Sequence, residues 1–146
     1  MSGQRGFTMI EILAVLAVLG IALGVTAMQL LPIASPIDTS TNLLEGEFRL
    51  ARLNAIATMT SYRVSSATPT KLQGEKGASC SATTWSPDSS MNVSLPTGVT
   101  MSPASWTVCF NSRGISTNNV TVAVTHPTYG SRSILVLYGG TTRVLP

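Results

Sequence analysis

The first 62 residues show two successive helical patterns of different polarity. From Ile12 to Leu31, about 20 residues, the chain carries no charge and is almost wholly apolar. At 1.5 Å per residue this length spans a hydrocarbon core about 30 Å thick. Further on, apolar residues recur every three or four positions, at Leu44, Phe48, Ala51, Ala55, Met59 and Tyr62. The patterns predict a transmembrane helix and then an amphipathic helix, at about residues 38–62, whose apolar stripe packs on a sheet.

Two prolines mark the junction between these helices. Proline removes a backbone hydrogen bond, so Pro32 and Pro36 predict a bend near residues 32–36. In the stretch "SPID", Ser35 suits the N-cap of a new helix and Pro36 suits its first position. The second helix is therefore expected to begin here.

Beyond Tyr62 the period falls to two, which is typical of strands. "VTVAVTH" alternates valine with smaller or polar residues, and "SILVLY" and "TTRVL" flank Gly139-Gly140, a hairpin signal. "SWTVCFN", ended by the turn "NSRG", predicts another strand, and "MNVSL" and "GVTM" predict shorter ones. The segment 71–90 is rich in Gly, Ser and Thr and predicts a long loop.

These elements predict the fold class α+β, in which a long N-terminal helix, first transmembrane and then amphipathic, packs on a C-terminal antiparallel β-sheet at about 63–146. With 146 residues, the chain has room for one small globular domain beside its apolar segment. We expect a leader at residues 1–6, a transmembrane helix at 7–36 and a periplasmic domain at 37–146.

Glu11 is an unexpected residue at the start of the apolar run. A charged side chain in a spanning helix costs about 2.5 to 3.5 kcal/mol on insertion scales. Cleavage after Gly6 would give Phe7 a free α-amine four residues before Glu11. If many copies pack helix to helix, the carboxylate of one copy can pair with the ammonium of its neighbour, so that neither charge stays unpaired in lipid.

"GFTMIE" followed by about 20 apolar residues resembles the class III leader of type IV pilins and type II secretion pseudopilins. The resemblance implies a pilin-like fold, cleavage by a prepilin peptidase between Gly6 and Phe7, N-methylation of Phe7 and a role for Glu11 in assembly. It also implies other pilins or pseudopilins and an inner-membrane assembly platform as partners. Before assembly the chain is then expected to cross the inner membrane once, and afterwards to lie in a pilus or pseudopilus.

"LARLNAIA", "CFNSRGIS" and "ILVLYGGTTRV" resemble, more loosely, the FimT and H-type pseudopilin branch. The resemblance favours a minor pilin of a type IV pilus, with natural transformation as one use, and leaves the H-type pseudopilin of type II secretion as the alternative. An anchored periplasmic protein unrelated to filaments is a third hypothesis.

A DNA-binding competence pilin is the remaining hypothesis, and it depends on basic residues. No acidic residue follows Asp88, whereas Arg113, Arg132 and Arg143 do, so a surface that binds DNA is one interpretation of the charge pattern. Some FimT-like pilins bind DNA through a "GRxR" hairpin, of which this chain keeps only Gly140 and Arg143.

The two cysteines, Cys80 and Cys109, lie in the part expected to leave the cytoplasm, where we expect them to form a disulfide. Two buried free thiols are the alternative. We expect no enzyme, cofactor or metal site, because the few carboxylates and the single histidine, His126, form no catalytic pattern.

Overall fold

A computed structural model describes the backbone of residues 8–29 and 35–146, and side chains within 8–21 and 35–146. The chain divides after Ile33 into two compact units, which are described separately. The first contains helix α1, Met9–Gln29. The expected cleavage site at Gly6 and Phe7 and most of the expected bend lie outside the described residues.

The second unit begins with helix α2, Pro36–Thr58. The Ser35 hydroxyl accepts a hydrogen bond from the Asp38 backbone N–H at 3.1 Å and donates one to the Asp38 carboxylate at 2.7 Å. Pro36 occupies the first turn, where its missing N–H leaves no bond unmade. The predicted helix start at "SPID" is confirmed.

The predicted end of this helix at Tyr62 is wrong by four residues. Met59 adopts a left-handed backbone with φ of 52°, and its N–H donates to the Ile56 carbonyl in a capping turn. Because the helix stops there, Met59 is exposed rather than part of the buried stripe. Tyr62 is buried as predicted, but in a strand.

Eight antiparallel strands follow and form two four-stranded sheets rather than the single sheet expected. The first sheet has the order β3-β2-β1-β5 and the second β4-β6-β7-β8. The strands are β1 Ser61–Thr68, β2 Lys71–Gly77, β3 Ser86–Ser94, β4 Thr100–Ser102, β5 Thr107–Phe110, β6 Val120–His126, β7 Gly130–Val136 and β8 Thr142–Leu145.

The predicted long loop at 71–90 is wrong, because β2 and the start of β3 occupy most of it. Its glycines serve close packing within the sheet. A side chain at Gly74 would collide with Met91, which is fully buried, and one at Gly77 would lie 3.0 Å from the Trp85 ring. The pairing of β2 with β3 is interrupted between the pairs Leu72–Val93 and Gly74–Asp88. Four residues of β3 lie opposite one residue of β2 there and form a bulge, which lets Met91 enter the core.

The core lies between α2 and both sheets. It combines the buried stripe of α2 with strand residues whose alternation was visible in the sequence. Phe48 and Trp106 meet edge to face with ring centroids 5.6 Å apart. Its fully buried larger side chains are Phe48, Phe110, Leu44, Leu72, Met91, Ile134, Val64, Val99, Val108, Val122, Val124 and Val136.

Candidate functional site

The first candidate site is the described surface of α1. Every side chain from Thr8 to Ile21 is exposed, and most are apolar. Glu11 lies in the first turn, where a carboxylate complements the positive end of the helix dipole, and its backbone N–H donates to the Thr8 carbonyl at 3.0 Å. An apolar surface of this kind with a single charge is suited to packing against other helices.

The second candidate site is the outward face of α2, which was not among the sites predicted from the sequence. Beside the buried stripe runs another, which we call the outward stripe: Leu43, Gly46, Leu50, Leu53 and Ala57. Its spacing of 3, 4, 3 and 4 is that of a helix-packing seam. Leu53 is 63% exposed, and nothing lies within 4 Å of the place where a Gly46 side chain would stand. The signal was present in the sequence as a second 3-4 repeat.

Arg52 links three segments of the second unit. Its Nη1 donates to the Gly140 carbonyl at 3.1 Å, 88 positions further along the chain. A methyl group at Gly114 would lie 3.1 Å from Arg52 Cγ, and one at Gly140 would clash with the Gly114 carbonyl. "LARLNAIA", "CFNSRGIS" and the last hairpin therefore meet at one point, and the residues that carry the looser resemblance have a packing role there.

The three arginines proposed for DNA binding do not share one surface. Arg132 lies on β7, on the same face as the buried Ile134, and pairs with Asp38 at 3.0 Å. Arg143 lies opposite Leu135 in the register of β7 and β8, and so projects from the other face. Arg113 is exposed in the turn whose Gly114 N–H donates to the Asn111 carbonyl at 2.8 Å.

A disulfide joins Cys80 and Cys109, whose Cα atoms are 5.8 Å apart, as the sequence predicts. Cys109 stands opposite Arg63 in the pairing of β5 with β1. The Arg63 guanidinium binds Glu75 and stacks on Trp85, 4.2 Å from the ring centroid. The loop 78–85 is thus fixed to the sheet at Cys80 and at Trp85, whose indole N–H donates to the Ala82 carbonyl at 2.8 Å.

Two carboxyl groups of the second unit have shifted pKa values. Burial raises the pKa of Glu47 on α2, and its Oε2 has no hydrogen-bond partner among the described residues. Hydrogen bonds from the Ser90 hydroxyl and backbone N–H lower the pKa of Asp88. Neither carboxyl belongs to a group of metal ligands, since no cluster of three or more His, Cys, Asp or Glu is present in the part of the chain described.

Within the described residues, no helix is both long enough and apolar enough to cross a membrane.

Two comparisons find known proteins that are similar to this chain, one in its N-terminal sequence and one in its fold. Residues 1–27 match the model of the prokaryotic N-terminal methylation motif. The minor pseudopilin EpsH of the type 2 secretion system of Vibrio cholerae has a TM-score of 0.60 at 15% identity, covering 76% of this chain and 97% of EpsH. The type IV minor pilin FimU of Pseudomonas aeruginosa PAO1 has a TM-score of 0.60 at 16% identity. The match covers 75% of this chain and 88% of the FimU chain.

This is a pilin-like fold. The chain shares it with EpsH and FimU, and its N-terminus carries the methylation motif that the resemblance to type IV pilins and pseudopilins predicts. No curated protein sequence matches the chain.

Proposed function

We propose that this pilin-like chain is a minor pilin of a type IV pilus. It is made as a precursor, held in the inner membrane by residues 7–36 with the globular unit in the periplasm, and cleaved after Gly6. Phe7 is then methylated, and the subunit is assembled into a filament. The observation that carries the proposal is the exposed apolar surface of α1 with Glu11 as its one charge, which lies within the methylation motif at residues 1–27.

Glu11 makes assembly selective in this proposal. An unpaired carboxylate in lipid is costly, and the α-amine that cleavage creates on Phe7 of a neighbouring copy offers it an opposite charge. Only a processed neighbour has that amine at the required position. Uncleaved precursors are therefore not incorporated.

The outward stripe of α2 supports the same proposal. Burying a leucine side chain stabilises by about 1.5 to 3 kcal/mol, and the fold leaves Leu53 largely in water. A helix of a neighbouring subunit would cover the stripe, and Gly46 would let its backbone approach closely. The second unit thus offers a helix-packing surface of its own.

The H-type pseudopilin of type II secretion is the alternative, because the same helix and sheets serve either filament. Deleting the assembly platform of one system at a time distinguishes the two hypotheses. Loss of the pilus platform should abolish incorporation of a minor pilin, whereas loss of the secretion platform should abolish incorporation of a pseudopilin. Natural transformation is a use that applies only to the first case.

The N-terminus of the mature protein tests the proposal directly. Mass spectrometry of full-length protein from its host is expected to find methylated Phe7 as the first residue. Glu11→Val should insert into the membrane normally but reach sheared filaments at a level at least about tenfold lower, while the control Asp88→Asn, which removes an exposed carboxylate of β3, is incorporated normally. A mature chain that begins at residue 1 or 2 would overturn the processing step, and normal incorporation of Glu11→Val would overturn the pairing.

A further inference from the structure

Met59 combines two unfavourable properties at the end of α2. Its φ of 52° lies in the left-handed region, which glycine and asparagine occupy far more readily than other residues because a Cβ atom crowds the following carbonyl. Its side chain is also 83% exposed and so gains almost nothing from packing within the chain. Met59 is the one residue other than glycine with positive φ in the part of the chain described. Neither fold stability nor solubility explains a methionine at this position.

Other exposed apolar side chains lie near the end of α2 in sequence or on the segments that meet it there. Ile56, one turn earlier, is 45% exposed, and its Cδ1 atom would lie 2.7 Å from a methyl group at Gly114. Gly114 is followed by the partly exposed Ile115 and touches Gly140 of the last hairpin, next to the exposed Tyr138. We call these four side chains, Ile56, Met59, Ile115 and Tyr138, the α2-end patch.

We propose that the α2-end patch binds the globular unit of a different pilin-like subunit, one that presents apolar side chains beside a carboxylate. This inference rests on the proposed function and adds a contact between globular units to the helix packing. The patch continues from the outward stripe through Ile56, so one neighbouring subunit covers both surfaces. Arg113, exposed beside Gly114 and without a salt bridge in the described residues, calls for a carboxylate on the partner.

The charges of the chain explain why the partner is not a second copy. Of the described carboxylates outside α1, Asp38, Glu45 and Glu75 already form ion pairs, and Glu47 is half-buried. Only Asp88 is exposed and without an ion pair, and it accepts hydrogen bonds from Ser90 instead. A second copy therefore has almost no free carboxylate that could pair with Arg113, whereas a more acidic subunit would supply one.

Met59→Gly separates a binding role from a structural one. Glycine relieves the left-handed backbone, so the thermal midpoint of the full-length protein in detergent should rise by about 4 °C. If Met59 binds a partner, incorporation into filaments should nevertheless fall at least about fivefold, because the buried methionine contact is lost. Met59→Leu, which keeps an apolar side chain, should be incorporated normally. A stabilised Met59→Gly protein that is also incorporated normally would overturn the proposal.

Site-specific photo-crosslinking identifies the partner. A benzoylphenylalanine at position 59 of the full-length protein in assembled filaments should give a heterotypic product with another pilin-like subunit, and Arg113→Glu should reduce that product. The same probe in place of Tyr129, which is exposed in the β6–β7 turn, is the matched control and should give no such product. A homotypic product from position 59, or equal products from both positions, would overturn the proposal.

Failure of the proposed function gives a different result. An unprocessed chain that enters no filament gives no incorporation for the wild type and every variant. If only the proposed binding by the α2-end patch is wrong, the wild type is still processed and incorporated, and Met59→Gly is incorporated at the same level as the wild type.

Discussion

Gly140 and Gly130 share a left-handed backbone but differ in their surroundings. Their φ angles are 79° and 83°, so an alanine at either position costs about 1 to 2 kcal/mol in backbone strain. A methyl group at Gly130 meets nothing within 4 Å, whereas one at Gly140 clashes with the Gly114 carbonyl. Gly140→Ala must in addition separate the last hairpin from the "NSRG" turn and strain the Arg52 hydrogen bond.

We therefore predict that Gly140→Ala lowers the free energy of unfolding by at least about 2 kcal/mol more than Gly130→Ala. Chemical denaturation of the two variants and of wild type measures the difference between their free energies of unfolding. The backbone strain cancels in this difference because both variants share it. Equal losses would mean that the junction of Arg52, Gly114 and Gly140 contributes nothing to stability.

Single residues were predictable from sequence where their role is local. The Ser35 cap was visible because an N-cap needs only its own side chain and the next turn. The role of Arg52 was not visible, since its partner Gly140 lies 88 positions away in the chain. Met59 was assigned to the buried stripe because its spacing fits, and spacing does not report where a helix ends.

At the scale of elements, the disulfide holds the loop 78–85 across the outer side of the first sheet. It joins residues 29 positions apart, and the chain-entropy model gives about 3 to 4 kcal/mol for closing a loop of that length in the unfolded chain. We predict that the double substitution Cys80→Ser, Cys109→Ser lowers the free energy of unfolding by about this amount.

Denaturation under oxidising conditions measures the loss, with reduced wild type as the matched comparison. The reduced wild type should agree with the double variant to within about 1 kcal/mol. A double variant as stable as the oxidised protein would show that the Arg63–Trp85 stack and the Arg63–Glu75 pair hold the loop without the disulfide.

Elements were predicted well where one periodicity continued throughout. β6 is confirmed because one face of "VTVAVTH" is buried and the other is not. β2 was missed because its glycines are characteristic of loops, and their reason for being in a strand is the bulk of Met91 and Trp85 on a neighbouring strand and loop. The strand conformation of β2 therefore depends on packing between segments that are distant in the chain, which the local sequence does not predict.

At the scale of the whole molecule, the two faces of the second sheet separate the basic residues. The DNA-binding hypothesis stays a prediction, and the geometry restricts it to Arg113 and Arg143, since Arg132 pairs with Asp38 on the other face. If DNA binds, Arg143→Ala should reduce the slope of log affinity against log salt by about 0.9, and Arg132→Ala should leave the slope unchanged. Titration of duplex DNA at several salt concentrations measures this. Equal slopes for wild type, Arg113→Ala and Arg143→Ala would end the hypothesis.

The α+β class and the order of helix and strands followed from the switch between a period of 3.6 and a period of two. The division into two sheets did not follow, because strand partners depend on contacts across the core. The candidate assembly surface of the first unit was predicted from the sequence, through Glu11 and the apolar run. In the second unit, the outward stripe was present as a repeat but, like the α2-end patch, could be assigned only once the structure showed which apolar residues the fold leaves in water.

The ion pair between Asp38 and Arg132 and the hydrogen bond between Arg52 and Gly140 tie the last hairpin to α2 at two points. Fourteen residues separate Asp38 from Arg52, a distance of about 21 Å along the helix axis. A force applied along α2 therefore reaches the last hairpin through both contacts. The same two ties couple the hairpin to α2 over about four turns of the helix, so that the two elements are expected to move together.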